Sequence, residues 1–254
     1  MLLEIDAGNT RVKWRLTEVR NGTPVKMSSD GDFTMPGNTT EGDECFCKAV
    51  AGKIANAVVE RVLISNVRGV GFRKNFTEFA KDAWGMVPEF ANSTNYCAGV
   101  TNGYTEPDKL GVDRWLAILA AYNMAKTDCC ILNCGTTITF DIVSGEGKHE
   151  GGYIVPGLQL MRDSLFSKSP VLVANPESAN SLSPGHDTSA AINNGIFSAI
   201  IGFVTAMKSA QSLIKSQSVW FVSGGDGEII SRHLAWETRL CPSLVLDGLT
   251  LALP

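Results

Sequence analysis

Met1-Leu2-Leu3-Glu4-Ile5-Asp6-Ala7-Gly8-Asn9-Thr10-Arg11-Val12-Lys13-Trp14-Arg15-Leu16 opens the chain, and its reading decides the fold. Residues 1–5 form a short apolar strand. From Arg11 the pattern alternates, with Val12, Trp14 and Leu16 on one face, so the two runs predict a hairpin closed by Ala7-Gly8-Asn9-Thr10. Gly8 permits positive φ and a close backbone approach to a ligand, while Asn9 and Thr10 offer uncharged donors to phosphate oxygens. Asp6 ends the first strand at the mouth of the turn, where a carboxylate can hold Mg²⁺ directly or through water. Gly-Asn is also a common turn dipeptide, so the stretch reads equally as a plain hairpin.

A partial echo lies in the second half. Cys130-Ile131-Leu132 is a buried-strand candidate, Asn133-Cys134-Gly135-Thr136-Thr137 a turn, and Ile138 to Val143 a β-branched return strand. One such unit in each half predicts duplicated domains facing a shared cleft, a common place for a ligand.

The 254 residues, 44% hydrophobic and 19% charged, exclude disorder throughout and suffice for one large domain or two small ones. A net charge of −4 without a basic cluster argues against an extensive nucleic-acid footprint. The amino terminus meets Glu4 and lacks a basic, long-cored leader pattern. The longest apolar run is read near Trp115 to Ala125, broken by Tyr122 and Asn123 and too short for a bilayer. The expectation is a cytoplasmic chain without a membrane partner. Seven cysteines, an odd number, give no disulfide framework, and Cys45-Phe46-Cys47 and Cys129-Cys130 lack zinc-site spacing. His149, His186 and His233 are scattered, and Cys130 and Cys134 read as core fillers.

Arg20 to Glu44 reads as loop with room for one strand, Cys47 to Ala57 as helix, and Arg61 to Ser65 as strand. Phe72, Phe76, Phe79, Ala80 and Ala83 mark one core-facing helix stripe, and Met86 to Phe90 an edge strand. Gly111-Val112-Asp113-Arg114-Trp115 opens a helix reaching about Lys126. Asp113 there is either a favourable N-terminal charge or, beside Arg114, a general base next to an anion anchor. Gly151 to Gly157 joins a strand to a helix starting near Leu158, and Ser167 to Asp187 reads as a lid or a connector. A long helix runs from Thr188 to about Ile214, capped by Asp187 or Thr188. Ser223-Gly224-Gly225-Asp226-Gly227 follows the strand Val219 to Val222. It suits close approach to adenine or ribose, or is a plain strand-to-helix loop. Neither a P-loop nor a complete dinucleotide fingerprint is present.

Taken together and in order, Asp6-x-Gly8-Asn9-Thr10, Asn102-Gly103-Tyr104, Leu110-Gly111-Val112-Asp113-Arg114-Trp115, Gly135-Thr136-Thr137-x-Thr139-x-Asp141, Gly151-Gly152-Tyr153-Ile154-x-Pro156-Gly157 and Ser223-Gly224-Gly225-Asp226 resemble the type III pantothenate kinases, including the Bvg accessory factor homologues. The resemblance spans nearly the whole chain. It implies an α/β fold of two ribonuclease-H-like domains of the acetate and sugar kinase/Hsp70/actin superfamily with an interdomain cleft, divided as residues 1–110 and 111–254. It also implies ATP-dependent phosphorylation of pantothenate to 4′-phosphopantothenate, the first step towards coenzyme A, by a homodimer using Mg²⁺ and K⁺ or NH₄⁺.

By the same resemblance, Asp6 would organise metal and phosphates, and Gly8, Asn9 and Thr10 would contact the phosphates. Gly135, Thr136 and Thr137 would form a second phosphate loop, with Gly224 and Gly225 near adenosine. Asp113 would accept the substrate hydroxyl proton, Arg114 would pair with the pantothenate carboxylate, and Tyr104 and Gly111 would line its pocket. Thr188 matches a threonine that reaches that pocket from the partner subunit, placing the substrate site near the subunit interface. One position departs from the family pattern: Asn133 stands where the second loop normally starts with Asp, which implies a weakened monovalent-cation site. A noncatalytic regulatory member of the fold and a kinase for another small hydroxy acid are the competing readings.

Overall fold

The computed structural model describes residues 1–20, 23–37, 39–167, 180–212 and 217–254. Two compact units emerge. One comprises Met1–Met124, Gly147–His149 and Ser243–Pro254; the other comprises Ala125–Glu146 and Glu150–Pro242. This grouping keeps the helix that follows Gly111 with the first unit, whereas the motifs begin the second domain there.

In the first unit, β1 (Leu2–Ala7), β2 (Arg11–Arg20), β3 (Thr23–Thr34), β4 (Arg61–Asn66) and β5 (Glu89–Phe90) form a sheet of order β3-β2-β1-β4-β5. The predicted hairpin is present: β1 and β2 are antiparallel with Ala7 opposite Val12, and β1 runs parallel to β4. Two helices, α1 (Thr40–Lys53) and α2 (Val70–Trp84), supply the core with Phe46, Phe72 and Phe76, packed with Leu3, Ile5, Val12 and Trp14. The Phe72 and Phe76 rings stack 5.7 Å apart. Of the expected stripe, Phe79 packs at the core's rim and Ala83 is exposed. A two-stranded ribbon, β6 (Tyr96–Cys97) with β7 (Val100–Thr101), precedes a 3₁₀ turn at Pro107–Lys109 and α3 (Val112–Ala125).

The stretch Arg20 to Glu44, read as loop with room for one strand, holds one, the twelve-residue β3, and one expectation for this unit, the start of α1, needs correction. β3 is an edge strand, paired among the described strands with β2 alone and largely exposed, so no apolar alternation is imposed on it. Its Gly31 lies under the Trp14 indole, where a Cβ would come 2.9 Å from Nε1. The helix expected from Cys47 starts at Thr40, seven residues earlier, with the Thr39 hydroxyl accepting from Gly42 N at 3.1 Å. Its polar first turn concealed it.

The second unit holds β8 (Cys129–Cys134), β9 (Thr137–Val143), β10 (His149–Pro156), whose first residue groups with the first unit, and then α4 (Leu158–Phe166) and α5 (Thr188–Ser212). These are followed by β11 (Val219–Ser223), α6 (Gly227–Ser231) and β12 (Arg239–Leu240). The sheet order is β10-β9-β8-β11-β12, with β8 antiparallel to β9 and parallel to β11. The first unit's strand pattern thus recurs. The chain ends in α7 (Leu244–Ala252), part of the first unit. Cys130 and Cys134 are fully buried among Leu132, Ile138, Phe140 and Phe197, as expected of core fillers. Asp187 Oδ1 accepts from Ala190 N at 2.8 Å and caps α5. The end expected near Ile214 lies outside the described residues, as does most of the Ser167–Asp187 stretch.

The run at Trp115 to Ala125 is not the longest apolar one. Thr188–Ala210 of α5 is 23 residues long and apolar enough, by length and composition, to cross a membrane. Ile196, Phe197, Ile200, Ile201 and Val204 pack one side of it into the second core. Interspersed Asn193, Asn194 and Gly195 hid the run.

Candidate active site

The turn after β1 is shaped by its own hairpin. Gly8 does not take positive φ; its glycine is required because a Cβ would lie 2.7 Å from the Arg11 carbonyl oxygen. Asp6, opposite Lys13 on β2 and Ser65 on β4, is half-buried, and its Oδ1 is shielded with no hydrogen-bond partner among the described residues. Burial first, and then the nearby Asp113 charge, push its carboxyl up to about 7; the Ser65 hydroxyl and Lys13 oppose the shift. A shielded carboxylate oxygen without a partner is costly unless something binds it.

The first unit also brings together Asp113, Arg114, Tyr104 and Gly111. α3 begins on Gly111, whose carbonyl accepts from Trp115 N at 2.9 Å. Asp113 Oδ1 accepts from Arg114 N at 2.8 Å, and a Cβ on Gly111 would fall 2.7 Å from that oxygen, so glycine makes room for the carboxylate. Arg114 is buried, donating from Nη1 to the Tyr104 hydroxyl at 2.7 Å. Tyr104 is held by Asn102, whose Oδ1 accepts from Tyr104 N at 3.0 Å while its amide donates to the Thr94 and Pro107 carbonyls.

Sequence reasoning missed His149. It is fully buried and stacks on Tyr104 with ring centroids 6.0 Å apart, and its Nδ1 accepts from Gly103 N at 3.4 Å. A lone histidine distant in sequence gives no signal for such a contact.

In the second unit, Asn133 is the half-buried penultimate residue of β8, opposite Thr139 of β9 and Ser223 of β11. Thr136 and Thr137 are exposed at the turn, which Gly135 closes by donating to the Thr137 carbonyl at 3.0 Å. Gly157 seats the start of α4 against this turn, donating to the Thr136 carbonyl at 2.9 Å; a Cβ on it would meet the Gly135 oxygen at 2.3 Å. Gly224, at φ +92°, packs on the end of β8, where a Cβ would meet the Cys134 oxygen at 2.2 Å. The close approach at Gly224 is therefore to a neighbouring strand, and Gly225 beside it is exposed. Thr188 is exposed at the first turn of α5. An open apolar groove of about 840 Å³ lies along α4 and α5, lined by Leu160, Met161, Leu165, Ile192 and Ile196. It contains none of the expected site residues.

The family model of type III pantothenate kinase matches residues 2–210. The chain belongs to the type III pantothenate kinase family. Relatives called type III pantothenate kinase include one from Ectopseudomonas mendocina, 32% identical across 100% of this chain and 99% of its own. Another, from Pseudomonas aeruginosa, is 33% identical with the same coverage. The match to the type III pantothenate kinase model contains every expected site residue except Gly224 and Gly225.

Solved structures bear on the fold. A Campylobacter jejuni protein described as a Baf family transcriptional activator aligns with TM-score 0.61 at 21% identity, over 98% of this chain and 95% of that one. A Sinorhizobium meliloti protein described as a 2-dehydro-3-deoxygalactonokinase aligns with TM-score 0.58 at 11% identity, over 100% and 96%. These likenesses show the fold, an α/β architecture of two units that are each built on a five-stranded sheet.

Proposed function

We propose that this chain transfers the γ-phosphoryl group of ATP to the 4′ hydroxyl of pantothenate, the first step of coenzyme A biosynthesis. The observation that carries the reading is the shielded, unpartnered Asp6 oxygen at the mouth of the Gly8-Asn9-Thr10 turn, with the Asp113 charge beside it, in a chain of this family. Asp6 is a hard oxygen donor next to a second carboxylate, which fits Mg²⁺; the ion would offset phosphate charge. Asn9 and Thr10 would hold phosphate oxygens, as would Thr136 and Thr137 of the second unit, and Gly224 and Gly225 would lie near adenosine.

Asp113 accepts the hydroxyl proton as the substrate oxygen bonds to the γ-phosphorus and ADP leaves. Catalysis rests on positioning and charge, without a covalent nucleophile. Arg114 and Tyr104 form one hydrogen-bonded unit that suits a carboxylate such as that of pantothenate. Thr188 would serve the site of a second copy in a homodimer, and the setting is the cytoplasm. Asn133 offers an amide oxygen without a carboxylate's charge, so activation by K⁺ or NH₄⁺ needs higher concentrations than in members carrying Asp. A coupled ADP-release assay with pantothenate, titrated with K⁺, tests both statements. Pantothenate-independent ATP consumption or none would overturn the first, and saturation at low K⁺ the second.

A further inference from the structure

Behind the Asp6–Thr10 turn lies a cation that neither the motifs nor the reaction invokes. The Arg68 side chain, on the connection after β4, is wholly buried. Its Nη1 donates to the carbonyl oxygens of Gly8 at 3.3 Å and Asn9 at 2.8 Å. Its Nη2 donates to the Gly37 carbonyl at 2.8 Å and to Asp43 Oδ1 at 3.2 Å, and Asn75 donates to Asp43 Oδ2 at 3.1 Å. The Arg68 backbone is pinned as well: its N donates to Asn66 Oδ1 at 2.9 Å, and Val67 N donates to the Ala7 carbonyl at 3.2 Å. The guanidinium thus joins the turn to α1 and α2 through one charge balanced by Asp43.

We infer that Arg68 is a positioning residue for nucleotide binding, holding the Gly8-Asn9-Thr10 turn with its amides presented to phosphate. In a planar trans peptide the C=O and N–H point in opposite directions, and no cis bond occurs among the described residues. With the Gly8 and Asn9 carbonyls both on the guanidinium, the N–H groups of Asn9 and Thr10 are aimed away from it. Two adjacent amides with a fixed cation behind them make a preorganised anion site. A lysine keeps the charge but cannot reproduce the fork that spans four oxygens. The inference rests on reading this turn as a phosphate turn, and it adds the residue that sets the turn's geometry.

Titration of MgATP and, separately, pantothenate into the full-length chain by calorimetry tests it, with thermal unfolding alongside. Arg68→Met weakens MgATP about tenfold or more while pantothenate affinity stays within about twofold, and Arg68→Lys falls between. Asn75→Ala, which loosens Asp43, shifts MgATP affinity the same way by less. Unchanged MgATP affinity in a folded Arg68→Met overturns the inference, as does parallel loss of both ligands in step with lower thermal stability. Should Arg68→Met not fold, wild-type MgATP affinity in both Arg68→Lys and Asn75→Ala overturns it. Arg68-dependent MgATP binding in a chain that does not phosphorylate pantothenate would sink the proposed function and leave this inference standing.

Discussion

The Asp6 carboxyl is held near 7 when free, well above the carboxylate range, so its ionisation is coupled both to folding and to whatever binds it. Between the ordinary carboxylate value of 3.8 and about 7, the native state binds a proton that the unfolded chain has released. Stability of the metal-free protein therefore falls as pH rises through that window and levels off above it. Asp6→Asn, unable to ionise, flattens that fall in a melting-temperature series; equal slopes for the two proteins would count against it. With Asp6 in its proposed role as a Mg²⁺ ligand, Mg²⁺ with ATP is expected to raise the wild-type melting temperature more at pH 8 than at pH 6, because only the ionised carboxylate would bind the ion. Asp113→Asn lowers turnover about 10²–10⁴-fold with MgATP binding retained, and it shifts the pH dependence of that binding downwards, since one source of the raised Asp6 value is gone. Preserved turnover would remove Asp113 from the base role.

Among elements, β1 is tightly constrained, being paired on both sides and buried along Leu2, Leu3, Ile5 and Ala7. Glu4 within it is 1% exposed and is gripped by Arg15 of β2 at 2.7 and 2.8 Å, while the Thr17 hydroxyl donates to it at 3.1 Å. Arg15 also reaches Asp247 of α7, fastening the chain's last helix to its first hairpin. Arg15→Met strands the Glu4 charge and costs about 3–5 kcal/mol, read as a lower urea midpoint. A loss under about 1 kcal/mol would mean the pair behaves as a solvated surface contact. The hairpin, β4, α2 and α3 were legible in the sequence because each is a local pattern of turn residues or apolar period. The bounds of β3 and the first turn of α1 were not, because exposed and polar segments carry no period.

At the scale of the whole molecule, each unit repeats one strand order, and the Gly-Thr turns of the two units both follow its central strand, β1 or β8. α5 buries one side in the second core but leaves Ala191, Gly195, Ala199 and Gly202 exposed, and nothing lies within 4 Å of a Cβ placed on Gly195 or Gly202. That smooth apolar face supports the proposed homodimer. Ala199→Glu is expected to shift the mass seen by light scattering from twice the chain to its own 27.2 kDa and to lower activity, since Thr188 would no longer reach a partner's site. A monomeric wild type, or a variant that stays dimeric, would count against that interface. The sequence by itself determined the duplicated hairpins, the family and which acidic and turn residues are candidates for the proposed site, because turn chemistry and motifs are written in neighbouring positions. Only the tertiary structure decided that Arg68 braces Gly8 from 60 positions away, that His149 meets Gly103 from 46, and that burial moves Asp6 towards neutrality. Those depend on distant contacts and on excluding water, and neither leaves a trace in local residue order.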